Sequence, residues 1–477
     1  MSPESGRILV SRSPADPRQE LGRFGVADDA AVACAVERAR EAFPAWRDAG
    51  NEARAAICLR FRDAIRARID ELAHLIALEV GKALWDARSE ATLVPAKVDV
   101  TLAEGLRLVR TIEAGPGTRA TFHPRGVLAV LGPFNFPAHL SNGHIVPALA
   151  TGNTVVWKPS ELAPAVGAFV AEAWKEAGLP PGVLELVHGA AETGRSLAVH
   201  PGIDGVLFTG SSAAGQAIVR ATLAQPGKLL ALELGGKNGI LVRADADLDL
   251  AVAETAISIC TTTGQRCSSA SRVFVEAPLF DAFCDRLAQV LRGVRLGHPL
   301  EGGVFMGPLV SLRAHEKLSH YRAIAREAGG ERVTCGDTVL PPPYAAPGLV
   351  RFERAEQTHP YQRDEIFGPE AALYPVSDLD HGIAALNDSD FGLVASVFTR
   401  DRSGWTHCIG RVQTGLLNWN RGTIGASAKL PFGGLRQSGN DRPAGVFSTL
   451  YCTVPQSHLE HTGGLDPKTL PPGMPRP

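Results

Sequence analysis

No run of apolar residues in this chain is long enough to cross a bilayer. The start, Met1-Ser-Pro-Glu-Ser-Gly-Arg7, is polar with no hydrophobic segment behind it, so no secretory leader is expected. An excess of charge is also missing. Lys and Arg number 48 against 50 Asp and Glu, a formal net charge of −2, which excludes the basic field of a nucleic-acid or anionic-membrane binder. Cysteine is sparse at eight in 477 residues, and no two form a C-x-x-C pair, so neither a disulfide framework nor a paired-thiol motif is expected. A cytoplasmic, reducing setting follows. Internal repeats and heptad arrays are absent too. What remains is ordinary globular usage, 45% hydrophobic and 21% charged, over a length that suggests two or three domains.

The first hundred residues read as helical packing. Asp28 or Asp29 can cap a helix that stops before Pro44. Leu59, Phe61, Ile65, Ile69, Leu72, Leu75 and Ile76 recur at helical spacing within one long amphipathic stretch, from about 52 to 80. A third helix, about 84 to 110, carries Pro95 and is expected to kink or break there.

From residue 120 the texture changes to short apolar strands alternating with helices. Strands are expected at Gly126–Leu131, Thr154–Trp157, Val183–Val187, Gly205–Phe208 and Leu229–Leu232. A second series is expected at Ile240–Val242, Arg272–Val275, Glu370–Val376 and Leu393–Phe398. Helices of the second series fall near 247–263, 279–292, 311–329 and 379–387. The alternation predicts doubly wound parallel sheets in two α/β domains, divided near Gly235-Gly236. Ligands are then expected beyond the carboxyl ends of the strands. A surface loop is expected over 336–348, and the proline-rich tail should be flexible.

Chemistry-bearing residues collect at those strand ends. Asn135, in Gly132-Pro-Phe-Asn-Phe-Pro137, is either a rigid donor to an oxyanion or a turn asparagine bonding its own backbone. Trp157-Lys158-Pro-Ser160-Glu161 suits a nucleotide ribose, with Glu161 repelling a 2′-phosphate and favouring NAD; otherwise Ser160 caps a helix beside a surface Lys/Glu pair. Gly210, Ser211 and Gly215 can cradle a pyrophosphate or form a plain strand–helix turn. Glu233 is a carboxylate embedded among apolar residues, suited to a general base unless it pairs with Lys237 or Arg266. Cys267, in Gly264-Gln-Arg-Cys267, lies between a helix and a strand, where Arg266 can favour its thiolate; alone it is as readily a buried hydrophobe. His139 and His144 have no partner at ligand spacing, so no metal is expected.

In family order, Gly132-Pro-Phe-Asn-Phe-Pro, Gly152-Asn-Thr-Val-Val-Trp-Lys-Pro-Ser-Glu161, Phe208-Thr-Gly-Ser211, Leu232-Glu-Leu-Gly-Gly236, Gly264-Gln-Arg-Cys267, Glu365-Ile-Phe-Gly-Pro369 and Pro431-Phe-Gly-Gly434 resemble the aldehyde dehydrogenase superfamily. The likeness runs over roughly residues 10–455. The stretches 135–149, 414–421 and 438–443 look most like the branch that oxidises N-succinylglutamate 5-semialdehyde. Departures from that branch are Leu234, Lys237, Gly239 and Ile240 in Leu234-Gly-Gly-Lys-Asn-Gly-Ile240, then Ser268-Ser269, Gly422 and Asp441.

The resemblance implies an NAD-binding Rossmann-like domain (1–111 and 131–234), a catalytic domain (235–439), a small β oligomerisation arm (112–130 and 440–458) and a tail from 459. It also implies roles. Cys267 attacks the aldehyde, Asn135 and the Cys267 N–H hold the oxyanion, and Glu233 activates the hydrolytic water. Trp157, Lys158, Glu161, Gly210, Ser211, Gly215, Glu365 and Phe367 bind NAD. Arg421 and Arg442 receive the substrate carboxylates, since an arginine fork matches a carboxylate, although both also fit as solvated surface residues. A homodimer or dimer of dimers is expected. Other semialdehydes, and a thiol hydrolase or a binding protein on the same scaffold, remain the alternatives.

Overall fold

A computed structural model of the chain describes residues 7–335, 338–356, 358–440 and 444–475. It begins with a hairpin hidden by polar composition, β1 (Ile8–Arg12) against β2 (Glu20–Gly25). Four helices follow: α1 (Asp29–Asp48), α2 (Gly50–Ala67), α3 (Ile69–Val80) and α4 (Leu84–Ala103). Asp28 caps α1 by accepting from Ala31 N–H, as the sequence suggests. Contrary to expectation, α1 runs through Pro44. Its last turn buries Trp46, whose indole donates to Leu149 O, and the Arg54 guanidinium donates to the Trp46 and Arg47 carbonyls. These contacts outweigh the one helical hydrogen bond that the proline removes.

The expected single stretch over 52–80 is two helices. They part at Arg68 (φ −122°, ψ 23°), whose side chain is drawn to Glu71, Glu176 and the Phe169 ring. Pro95 does not break α4. It is buried between Val94 and Val98 on a face packed into the core, and the helix ends instead at Ala103.

The antiparallel pair β3 (Ile112–Gly115) and β4 (Thr118–Pro124) leads into β5 (Val127–Leu131), α5 (His139–Ala150), β6 (Thr154–Lys158), α6 (Pro164–Glu176), β7 (Leu184–Leu186), α7 (Ala191–Val199), β8 (Gly205–Thr209), α8 (Ser212–Thr222) and β9 (Leu229–Glu233). Strands β5 to β9 form a parallel sheet in the order β7-β6-β5-β8-β9. The chain moves from β5 to one side, then returns to place β8 on the other. That reversal opens a crevice beyond the carboxyl ends of β5 and β8.

The next series is β10 (Asn238–Val242), α9 (Leu248–Cys260), β11 (Ala270–Glu276), α10 (Phe280–Arg292), α11 (Leu312–Glu327), β12 (Glu331–Cys335), β13 (Gly348–Arg351) and β14 (Glu370–Val376). With Val394–Phe398 and Leu416–Trp419 they form a seven-stranded sheet, parallel except where β12 meets β13. Strands β12, β13 and 416–419 were not anticipated, because each is short and lies outside the regular alternation. Loop 336–348, expected on the surface, is exposed at Val339, Pro341 and Pro342, but its second half turns inward and buries Tyr344 and Ala345. Its residues 336 and 337 lie outside the described residues. Thr453–Leu459 pairs with β4, giving a separate three-stranded antiparallel sheet with β3 at its edge.

Candidate active site

The carboxyl ends of β5, β6, β8 and β9 do not face solvent. Opposite them lie the amino ends of β11 and β14, and between the two sheets is a cavity of about 1120 Å³. Asn135, Lys158, Glu161, Gly210, Ser211 and Glu233 line it from the first sheet, and Cys267, Glu365 and Phe367 from the second. The expectation that all ligand-facing residues follow their strands therefore holds for one sheet only. In the other, the residues precede their strands.

Cys267 sits in the turn that feeds β11. The three residues Thr262, Thr263 and Gly264 all have left-handed backbones (φ 56°, 55° and 67°). At Gly264 a Cβ would lie 2.2 Å from the Gly368 carbonyl carbon, so glycine is required there. The two threonines are held by their hydroxyls, which donate to Asp86 Oδ2 (2.6 Å) and to Gly307 O (3.0 Å). Strain of this kind persists only where surrounding contacts fix it. Asn238 Nδ2 anchors the far side of the turn through the Cys267 and Ser269 carbonyls, at 2.7 and 2.9 Å.

Arg266 does not act as expected on the thiol. Its guanidinium is paired with buried Asp86 at 2.6 Å, donates to Thr262 Oγ1 at 2.7 Å and lies 4.6 Å above the Phe136 ring. Burial, then the Glu233 and Glu365 carboxylates, push the Cys267 thiol well above its ordinary range, and Arg266 only partly opposes them. In this form of the protein Cys267 is a neutral thiol, partly accessible from the cavity.

Asn135 is nearly buried and its amide donates to Gln265 O at 2.8 Å. One of its two N–H donors is thereby fixed on the turn that carries Cys267, which orients the other. Gln265 is itself locked by Val310 N–H (3.0 Å) and Thr262 O (3.2 Å). Helix α4 supports both loops. Asp86 holds the cysteine turn, and Glu90, one turn on, accepts from Ala138 and His139 N–H where the Asn135 loop enters α5. Glu90 is fully buried against Lys82 (2.6 Å), whose ammonium also sits 3.5 Å from the Phe136 ring centre.

Glu233 ends β9 and is almost fully buried. Its proposed alternative partners have other contacts, since Lys237 Nζ donates to Tyr361 O at 2.9 Å and Arg266 pairs with Asp86. Glu365 accepts from Gly236 N–H at 2.9 Å, and burial pushes its carboxyl up to about 7. Phe367, also left-handed (φ 61°), meets Phe134 edge-on at 5.9 Å. At the other end, Lys158 donates to the Pro159 and Gly189 carbonyls and lies 3.6 Å from Glu161. Burial lowers the Lys158 ammonium's pKa. Ser160 closes a local turn onto Leu162 N–H rather than capping α6, which starts at Pro164.

Several expected contacts fall elsewhere. The Gly210 N–H is used by Glu233 O (3.0 Å), so it does not point at a phosphate; Ser211, capping α8, presents that helix to the cavity. Gly215 lies beneath the surface, where a Cβ would strike Leu234 at 2.5 Å. Trp157 is fully buried in the core below β6 and does not line the cavity, because successive strand residues face opposite sides of the sheet. Arg421 is exposed on the loop after 416–419 and is not part of the cavity lining. That loop is folded onto α9 by Gly422 N–H to Glu254 (2.6 Å). Arg442 lies outside the described residues.

Sequence reasoning missed Arg195, Arg220, Arg313 and Lys317, four cations on the cavity lining. Each is an ordinary exposed helical residue in one dimension, with no motif to mark it. Asp86 was missed for a different reason, since its partner lies 180 residues away. Among the described residues no three His, Cys, Asp or Glu side chains are grouped to hold a metal ion, and no helix is long and apolar enough to cross a membrane.

The sequence profile of the aldehyde dehydrogenase family matches residues 1–457. N-succinylglutamate 5-semialdehyde dehydrogenase of Burkholderia mallei (strain SAVP1) is 40% identical, over 98% of this chain and 97% of its own length. Among solved structures, an NAD-dependent aldehyde dehydrogenase from Sinorhizobium meliloti superposes with a TM-score of 0.93 at 30% identity, covering 98% of this chain and 94% of that one. An indole-3-acetaldehyde dehydrogenase solved with NAD+ gives 0.90 at 29% identity, covering 96% and 94%.

Proposed function

Because this chain belongs to the aldehyde dehydrogenase family, we propose that it oxidises N-succinyl-L-glutamate 5-semialdehyde to N-succinyl-L-glutamate, with NAD as the hydride acceptor. One observation carries the substrate: 40% identity over nearly the full length of relatives bearing that activity in their name. The cavity supports the chemistry. An amide donor, a carboxylate and a thiol line one end of it, and a Lys/Glu pair suited to a ribose diol lines the other.

NAD, when bound, accepts the hydride. Lys158 and Glu161 would hold its adenosine ribose, Ser211 and the α8 N-terminus its pyrophosphate, and Glu365 with Phe367 its nicotinamide half. For the reaction itself, the neutral Cys267 thiol first loses its proton, passed to solvent by way of the cavity carboxylates Glu233 and Glu365, which leaves Glu233 ionised for the later step. The sulfur adds to the aldehyde carbon. The resulting oxyanion is held by the second Asn135 N–H and the Cys267 backbone N–H, as fixed donors do most for charge that develops in the transition state. Loss of hydride leaves a thioester on Cys267. Glu233 then takes a proton from water, the hydroxide adds to the thioester carbonyl, and Cys267 leaves as thiolate.

For the substrate carboxylates, Arg421 is the described candidate, exposed and without an ion pair among the described residues; Arg442 is the second. The same reading places the enzyme in the cytoplasm as a homo-oligomer. The sheet of β3, β4 and 453–459, with Ile112, Val454 and Leu459 exposed, would be its subunit arm.

The test is NADH formation by the purified protein with this semialdehyde and with a panel of aliphatic and aromatic aldehydes, using NAD and NADP. Highest kcat/KM on the succinylated semialdehyde with NAD, abolished in Cys267→Ala, is expected. Turnover of simple aldehydes without turnover of the semialdehyde would overturn the substrate. Unchanged selectivity in Arg421→Ala would remove that residue from the substrate site.

A further inference from the structure

Behind the wall that carries Glu233 lies a line of buried polar groups that the mechanism above leaves unused. Tyr451, in the short helix Ser448–Tyr451, places its phenol oxygen 2.6 Å from His144 Nδ1 on α5. The other ring nitrogen, Nε2, lies 3.3 Å from Thr209 Oγ1. Thr209 is the last residue of β8, the register partner of Glu233 in β9, and both residues line the cavity. At the far end, Lys97 Nζ donates to Ser448 Oγ at 3.2 Å and to Gly445 O at 2.7 Å.

We propose that Tyr451 and His144 are positioning residues for deacylation, forming with Thr209 a donor chain that turns the Thr209 hydroxyl proton toward the Glu233 side of the cavity. The proposal rests on the reading of Glu233 as the deacylating base. The direction of the chain follows from proton counting. Burial, with Lys97 nearby, holds the His144 imidazole neutral down to about 3, so it carries one N–H. The Tyr451 phenol is protonated, its pKa raised far above the ordinary value by burial.

The line lies between an ammonium, Lys97, and a carboxylate, Glu233. Each O–H and N–H dipole has lower energy with its hydrogen directed away from the cation and toward the anion. Tyr451 then donates to Nδ1 and Nε2–H donates to Thr209 Oγ1. The Thr209 proton cannot return to His144 and must point into the cavity. A hydroxyl proton turned toward a carboxylate at the paired register position favours the ionised form that a base needs. The other titratable groups facing this line are Cys452 beside Tyr451, Lys97 on α4, and Cys267 and Glu365 across the cavity.

The experiment measures the decay of the Cys267 thioester by rapid chemical quench in NAD-saturated enzyme, from pH 5.5 to 8.5, alongside the NADH burst. Removing the donor raises the apparent pKa of the base, so the acid limb moves to higher pH. Thr209→Val and Tyr451→Phe are expected to shift that limb upward by about half to one unit, slowing deacylation roughly 3- to 10-fold below it, with the burst amplitude retained. Thr209→Ser is expected to restore the wild-type limb. Limbs that overlay the wild type in both variants would overturn the donor chain. So would parallel loss of burst and deacylation that Thr209→Ser does not rescue, which marks a purely structural role. Should Tyr451→Phe fail to fold, the Thr209 pair decides alone. Wild-type deacylation in Glu233→Gln would instead remove the base on which the proposal stands.

Discussion

Replacing Asp86 by alanine should disable the enzyme without touching any residue in the cavity. Asp86 is 2% exposed at its side chain and meets Arg266, 14% exposed, at 2.6 Å. Breaking a buried ion pair by removing one partner costs about 3–5 kcal/mol when the remaining charge stays buried. Arg266 keeps its bond to Thr262 Oγ1 and its seat on Phe136, and is not wholly shut from water. Its loss therefore falls near about 2 kcal/mol. The Thr262 hydroxyl also loses its acceptor, for about 1 kcal/mol more. The larger effect is geometric. Thr262 and Thr263 hold left-handed backbones that nothing local favours, and with Asp86 gone the turn can relax and carry the Cys267 sulfur with it. A displacement near 1 Å is enough for a roughly 100-fold loss. Pre-steady-state NADH formation reads the acylation rate directly, and a thermal melt reads the stability. Asp86→Asn retains an oxygen acceptor for Thr262 and should fall between alanine and wild type. A wild-type burst rate and melting midpoint in Asp86→Ala would refute the reasoning.

Three further outcomes follow from the site. Glu233→Gln should preserve the NADH burst but slow steady turnover by about 10²- to 10⁴-fold, the range of general-base catalysis; loss of the burst would show that Glu233 is also the only acceptor of the thiol proton. Asn135→Ala should lower kcat by about 10²- to 10³-fold with little change in affinity for NAD, measured by kinetics and cofactor titration. Alkylation of Cys267 by iodoacetamide in the absence of nucleotide should be slow at pH 7 and should climb beyond pH 9, because burial raises the thiol pKa and the thiolate appears only above it. A rate plateau near neutral pH would contradict that picture.

Much of this site was legible because it is local. Asn135, Glu233 and Cys267 each sit beside a strand end, where proline, glycine and apolar context limit what a polar side chain can do, and all three line one cavity. The parallel strands were readable for the same reason, as short apolar runs between turns. What failed was non-local. Arg266 stands next to Cys267 in sequence, yet its charge is spent on a helix 180 residues earlier. His144 and Tyr451 are 307 residues apart, so nothing in either neighbourhood announces their hydrogen bond. Pro44 and Pro95 misled because helix propensity is a local quantity, whereas the burial of Trp46 and Val94 is not. That the second sheet offers its amino ends to the cavity could not be read from periodicity, which carries no sense of how two sheets face one another.

Helix α4 gives the two halves of the catalytic centre a common ruler. Asp86 and Glu90 are four residues apart, about 6 Å along the helix axis, and through them the thiol turn and the amide loop are referred to one rigid rod. If the two sheets shift when a nucleotide enters between them, sulfur and oxyanion donor travel together and their separation is preserved. Glu233 and Glu365, carried by other segments, are free to change distance from the sulfur. On the roles proposed above, the spacing for carbonyl attack would thus be insulated from the movement, while the spacing for water activation would be left adjustable.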